Sequence, residues 1–89
     1  MLKYVIMESE FGIEYPVIFP EGLTHAQVAG RNHVKSAGFC CHVVKWNDGN
    51  AVVENDRNDK WTCWGQSISL GIKSHPKEDE QIFNRRFPL

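Results

Sequence analysis

Eighty-nine residues leave room for one domain, and a composition of 42% hydrophobic and 24% charged residues suits a folded chain rather than a disordered one. A formal net charge of −1 argues against binding nucleic acid through a broad basic surface. No apolar run approaches the ~20 residues that cross a bilayer, and the segment Met1 to Glu8 meets charge early without a small-residue cleavage site, so a cytoplasmic location is expected.

The first predicted strand is the apolar, β-branched segment Tyr4 to Ser9. Phe11-Gly12 interrupts it, and Ile13 to Phe19 follows with Ile13, Tyr15, Val17 and Phe19 on one face and Glu14 on the other, the pattern of a β-hairpin. Pro16 cannot donate to a ladder, which places its strand at an edge or at a bulge. After Pro20-Glu21-Gly22, Thr24 and Gln27 have the spacing of a capping box, with Leu23 and Val28 at the staple positions. Gly30 and Asn32 are expected to stop this helix near residue 32, after roughly two to three turns.

Val34 to Trp46 is a long β-prone run, and Asn47-Asp48-Gly49-Asn50 is a hairpin turn signal. Ala51 to Glu54 returns, Asn55 to Asp59 turns again, and Trp61 to Ile72 reads as a third strand. These make a three-stranded meander whose order in the sheet the sequence leaves open. In the last element Ser74 is the expected N-cap, with Pro76 in the first turn. Glu78, Asp79 and Glu80 near the start, and Arg85 and Arg86 near the end, match the helix dipole. Ile82, Phe83 and Phe87 supply its apolar stripe, and Pro88 ends it. The order β-β-α-β-β-β-α defines a single α+β domain over 1–89 with an antiparallel sheet.

Two-residue turns centred on Asp48-Gly49 and Arg57-Asn58 would set Trp46 opposite Ala51 and Ala51 opposite Trp64, with Val44, Val53 and Thr62 in the next row. Two indoles around an alanine form either core or a partly exposed aromatic platform suited to a partner. Phe39, Cys41, Val43 and Val52 take the opposite face. A small domain with a sheet apolar on both faces needs two covers, from its helices or from a second copy, so a homodimer is expected. In the last strand Cys63, Gly65, Ser67, Ser69 and Gly71 form a stripe of small residues opposite Trp64, Ile68 and Leu70. Such a stripe lets a helix, a ligand or another chain come close. The candidate partner-binding residues are therefore Trp46, Trp61, Trp64, Ser67 and Ser69.

Catalytic and metal-binding patterns are poor. Cys40, Cys41 and Cys63 are odd in number with two adjacent, so reduced thiols are expected rather than a disulfide framework. With His33 and His42 they offer no CxxC or HxxxH spacing for zinc, and no cofactor is expected. His25, His33, His42 and His75 fall in no catalytic pattern; His25, in a first helical turn, reads as a solvated neutral side chain. Cys41 and His42 point to opposite faces of a strand and cannot act as a nucleophile–base pair, while Cys40 and His42 share a face but lack a third group. Glu8, Glu10 and Glu14 around the first hairpin read as solvated charge, and phosphate-binding glycine loops are absent. Lys73, Lys77, Arg85 and Arg86 are interleaved with acidic residues, and Arg31, Lys35 and Lys45 are sparse, which reads as salt-laced surface.

Val34-Lys35-Ser36-Ala37-Gly38-Phe39 and the stretch from Ser67 to Asp79 resemble segments of short phage- and prophage-encoded proteins that have no established activity. The Ile18-Phe19-Pro20 step and the Thr24 to Ala29 helix start share the resemblance, which covers most of the chain. It carries no functional residues and implies an accessory protein made inside a bacterial host. The function expected is non-enzymatic protein–protein binding, as a homodimer or with a host or defence component. The alternative is a small nucleic-acid-binding regulator, and an enzyme with its site across a dimer interface ranks third.

Overall fold

The computed structural model describes residues 1–45 and 58–87. Strands β1 (Leu2–Glu8) and β2 (Glu14–Pro20) form the expected hairpin. Helix α1 (His25–Ala29) leads to the long β3 (His33–Lys45), and β4 (Asn58–Trp64) pairs back onto it. Two short strands, β5 (Gln66–Ser67) and β6 (Ile72–Lys73), precede helix α2 (Pro76–Arg86). The first four strands make an antiparallel sheet in the order β2-β1-β3-β4, and β5 and β6 pair separately. The fold is α+β, as the sequence predicts. No helix among the described residues is long and apolar enough to cross a membrane.

Alternation along β1 explains the layering. β1 lies inside the sheet with both edges paired, and both of its faces are covered: Tyr4, Val5, Ile6 and Met7 are all buried. Tyr4 and Ile6 face α2 and pack with Cys40, Cys63, Ile82 and Phe83, while Ile18 and Trp61 lean on this cluster. Val5 and Met7 face the other way and pack with Phe19, Ala29 and Ala37, joined by Val28 of α1 and by Leu70 and Ile72. The chain's own segments thus close both faces of β1. Pro16 lies on β2, an edge strand, as its missing N–H requires.

Four local expectations change. The run Trp61 to Ile72 is not one strand. Gly65 takes φ 83°, a conformation that only glycine adopts freely, and ends β4 at Trp64. The backbone and side chain of Ser74 both donate to the Gly65 carbonyl, at 3.1 and 2.7 Å, and hold the break. Cys63, Gly65, Ser67, Ser69 and Gly71 therefore share no common stripe. Second, β3 and β4 pair directly, with Phe39 opposite Trp64, Cys40 opposite Cys63 and His42 opposite Trp61, so no strand lies between them. The strand expected at Ala51 to Glu54, and the row of Trp46, Ala51 and Val53, lie outside the described residues.

Third, α1 is shorter than expected, at five residues. Its capping box forms, with Gln27 N–H donating to Thr24 Oγ1 at 3.0 Å and Thr24 N–H to Gln27 Oε1 at 2.8 Å. Gly30, at φ 57°, stops it one turn later. Fourth, α2 begins after His75, not Ser74, whose hydroxyl is held by Gly65. Asp79 satisfies the cap from inside the helix, accepting the His75 N–H at 2.9 Å.

Candidate functional site

The sheet separates two groups of polar and aromatic side chains. On the α2 face, Tyr4 O–H donates to Asp79, a carboxylate only 1% exposed that lies 75 residues away in sequence. Asp79 also takes the His75 amide, and the His75 ring meets the buried Ser36 hydroxyl at Nδ1, 2.6 Å away. Burial, and then the Asp79 hydrogen bond, push the Tyr4 phenol well above its ordinary range. Burial likewise pushes the Cys40 thiol up to about 12, with the neighbouring Cys41 adding to it. Cys63 rises for the same first reason, followed by Cys40, Asp79 and Glu80. A thiol held protonated is a poor nucleophile.

The Ser36–His75 contact has the residue types of a hydrolytic pair but not the arrangement. Ser36 is buried under α2, and Asp79 binds the His75 backbone rather than orienting its ring. Tyr4 and the His75 amide both donate to Asp79 Oδ2, and the Ser36 hydroxyl pairs with the His75 ring. Among the described residues no three metal-ligating side chains converge.

The first hairpin holds the carboxylates noted in the sequence. Glu8 and Glu14 lie opposite each other in the β1–β2 register. Lys35 Nζ bridges them, 3.1 Å from Glu14 and 3.7 Å from Glu8, and His33 lies 3.8 Å from Glu8. The cluster is an exposed ion network. The hydrogen bond and charge of Glu14, and then the charge of Glu8, raise Lys35 above its ordinary value.

On the α1 face the molecule opens. A cavity of roughly 500 Å³ lies between the start of α1, the β3 backbone and the β5–β6 connection. Its wall includes Phe39 and His25, the side of Lys3, Gly65 and Ser69, with Ile68 at the rim, 90% exposed. The local sequence builds it in steps. Gly65 brings the chain so close that a Cβ there would stand 2.8 Å from the Phe39 ring. The turn after β5 is pinned by Gly71 N–H to Ser67 O at 2.9 Å and by Leu70 N–H to Ser67 Oγ at 3.1 Å. That turn sends Leu70 into the core and Ile68 outward, and it brings Ser69 Oγ within 3.2 Å of the Ala26 amide. Trp64 stacks on Phe39, with ring centroids 6.4 Å apart and planes 26° from parallel, and stays 36% exposed.

The candidate residues from sequence therefore divide. Trp64, Ser67 and Ser69 gather around the α1-face cavity, with Ser67 buried beneath Ser69. Trp61 does not join them; it packs on the α2 face against Phe83 at 5.2 Å and Phe87 at 6.0 Å. Trp46 lies outside the described residues. His25, expected to be solvated, is instead only 4% exposed. It sits edge-on between Phe19 and Phe39, and its Nε2 meets the Gly38 carbonyl at 2.8 Å. The first residue of so short a helix has no periodic partner in sequence to betray its burial.

Comparison with family models, with curated proteins and with solved structures finds no match for the chain. The geometry of the two faces is what bears on function.

Proposed function

We propose that this protein is a non-enzymatic binding module, an accessory protein of the phage and prophage kind that works in the host cytoplasm by gripping another protein. Its α1-face cavity takes an apolar side chain of that partner. The observation that carries this reading is the cavity of roughly 500 Å³ under a 90% exposed Ile68, beside the stacked Trp64 and Phe39. Covering an isoleucine is worth about 1.5–3 kcal/mol, and a half-exposed tryptophan against a concave site is a common binding hot spot. The absence of catalysis is supported from the other face, where Cys40, Cys63, Tyr4, Asp79 and Ser36 are all buried away from any substrate. The partner in this reading is a different protein rather than a second copy, since the chain's own segments already bury both faces of β1.

Selection of a random peptide library on the immobilised protein tests this. Peptides rich in apolar or aromatic residues should be enriched, and Ile68→Asp should weaken them about tenfold or more. Because Ile68 is exposed, the variant should fold like the parent. No enrichment, or enrichment that Ile68→Asp leaves intact, contradicts the reading.

A further inference from the structure

Cys40 and Cys63 stand directly opposite each other on β3 and β4. Both are free and buried, and both turn to the α2 face, where they pack in one cluster with Tyr4 and Phe83. β4 is an edge strand, and the Cys63 amide donates to Glu80 Oε2 of α2 at 3.0 Å rather than to β3. An antiparallel residue whose N–H turns away from its neighbour belongs to a non-hydrogen-bonded pair, in which the side chains come closest. The Cα atoms of such a pair lie about 4.5 Å apart, within the ~4.4–6.8 Å that a disulfide spans.

Parity excludes the third cysteine. Cys41 is the next residue of β3, lies opposite Thr62 and turns to the other face of the sheet. Of the chain's three cysteines, only Cys40 and Cys63 meet on one face.

We infer that Cys40 and Cys63 are a disulfide site, closed by a small peroxide and accommodated by the native fold. The site stands apart from the binding role proposed above. Cys63, on the edge strand, reacts first. Its sulfur gives up a proton and attacks one oxygen of hydrogen peroxide; the O–O bond breaks, leaving a sulfenic acid and one water. The Cys40 sulfur then attacks the Cys63 sulfur, the S–O bond breaks, and the hydroxyl leaves with the Cys40 proton as a second water. Two thiols and one peroxide give one disulfide and two waters, and the two electrons lost by sulfur reduce the peroxide. Burial holds both thiols protonated, so the reaction is slow and the resting state is reduced. Once formed, the bond joins β4 to β3 one ladder position from Phe39 and Trp64, the aromatic pair beside the α1-face cavity. It also ties Cys41 to Thr62 into a closed loop, which narrows the unfolded ensemble.

The test is prolonged treatment of the folded full chain with hydrogen peroxide, then alkylation in denaturant and peptide mapping by mass spectrometry. Cys41 is only half-buried, so Cys41→Ser keeps the core intact and removes the competing thiol. This variant should lose two hydrogens and yield a peptide cross-linked between Cys40 and Cys63, and dithiothreitol should restore its mass. Cys40→Ala and Cys63→Ala should yield no cross-link within the chain. Oxidised Cys41→Ser should unfold at a higher urea midpoint, its unfolding constant lowered about a hundredfold. Oxidation of the parent in urea calibrates chance pairing, since there Cys41 competes with Cys40 for Cys63. In the folded protein, a cross-link from Cys41 or between chains, or Cys63 carried on to sulfinic acid without a bond, would overturn the inference. So would reaction only in urea, or a midpoint that oxidation leaves unchanged or lowers.

Discussion

The two faces of one sheet are built from alternate residues of the same strands, yet they end in opposite states. Under α2, an eleven-residue helix about 16 Å long lies across the sheet and closes it. Every polar group drawn in there, Tyr4, Asp79, Ser36 and the His75 amide, has a partner. Over the other face α1 spans five residues, about 7.5 Å, and cannot cover the same area. The β5–β6 turn covers part of the remainder and leaves a cavity edged by Ile68 and Ser69. A short cover, stopped early by Gly30, makes the site. On the proposed reading, the closed face carries stability and the open face recognition.

Breaking the closed face should have the largest effect. Asp79→Ala leaves the Tyr4 hydroxyl and the His75 amide unpaired in a dry interior, and a loss of about 2–4 kcal/mol is expected in urea denaturation. Peptide binding by the fraction still folded should be unchanged. A stability within about 0.5 kcal/mol of the parent would show that the network does not hold α2 down.

Alkali acts on the same face. Cys40 titrates in the folded protein near 12, above its unfolded value, because burial favours the neutral thiol, and Cys63 is raised as well. The folded state therefore keeps protons that the unfolded chain releases. Stability from these groups is fully present below about pH 8.5 and declines as pH climbs toward the folded pKa. The urea midpoint should be flat near neutrality and fall from about pH 9 upward. Cys40→Ala should flatten that slope; an equal slope in the variant would assign the loss to other groups.

Gly65 links the two faces, since it ends β4 and allows Phe39 its place beside the cavity. Gly65→Ala imposes a Cβ at positive φ against the Phe39 ring, and should cost about 1–3 kcal/mol while weakening peptide capture. Unaltered capture would detach the cavity from this turn. The smallest stability effect belongs to the open face. Ile68→Asp should shift the midpoint of unfolding by no more than about 0.5 kcal/mol and still remove binding. A large destabilisation would mean that Ile68 is core rather than contact surface.

What the sequence shows clearly is what is local. The capping box at Thr24 and Gln27, the edge position of Pro16, the hairpin around Phe11-Gly12 and the charge polarity of α2 each depend on neighbours a few residues apart. The break at Gly65 was hidden in a run of strand-forming residues, because its cause is the Ser74 grip from nine positions on. The Tyr4–Asp79 bond joins the first strand to the last helix, and no spacing rule connects them. Ser67 and Ser69 stand out in sequence as part of a small-residue stripe that does not form, and Trp64 as part of a row with Trp46 and Ala51. The folded turn brings them together instead, around a histidine whose burial depends on where a five-residue helix docks. Trp61 differs from Trp64 by three positions, an odd step along a strand, and that parity sends the two indoles to opposite faces.

The central division is tested most directly by mapping a selected peptide on the uniformly ¹⁵N-labelled protein. The account predicts shifts centred on Lys3, His25, Phe39, Gly65, Ile68 and Ser69, with Ile82, Phe83 and Asp79 unmoved. Shifts centred on α2, or on both faces together, would contradict it.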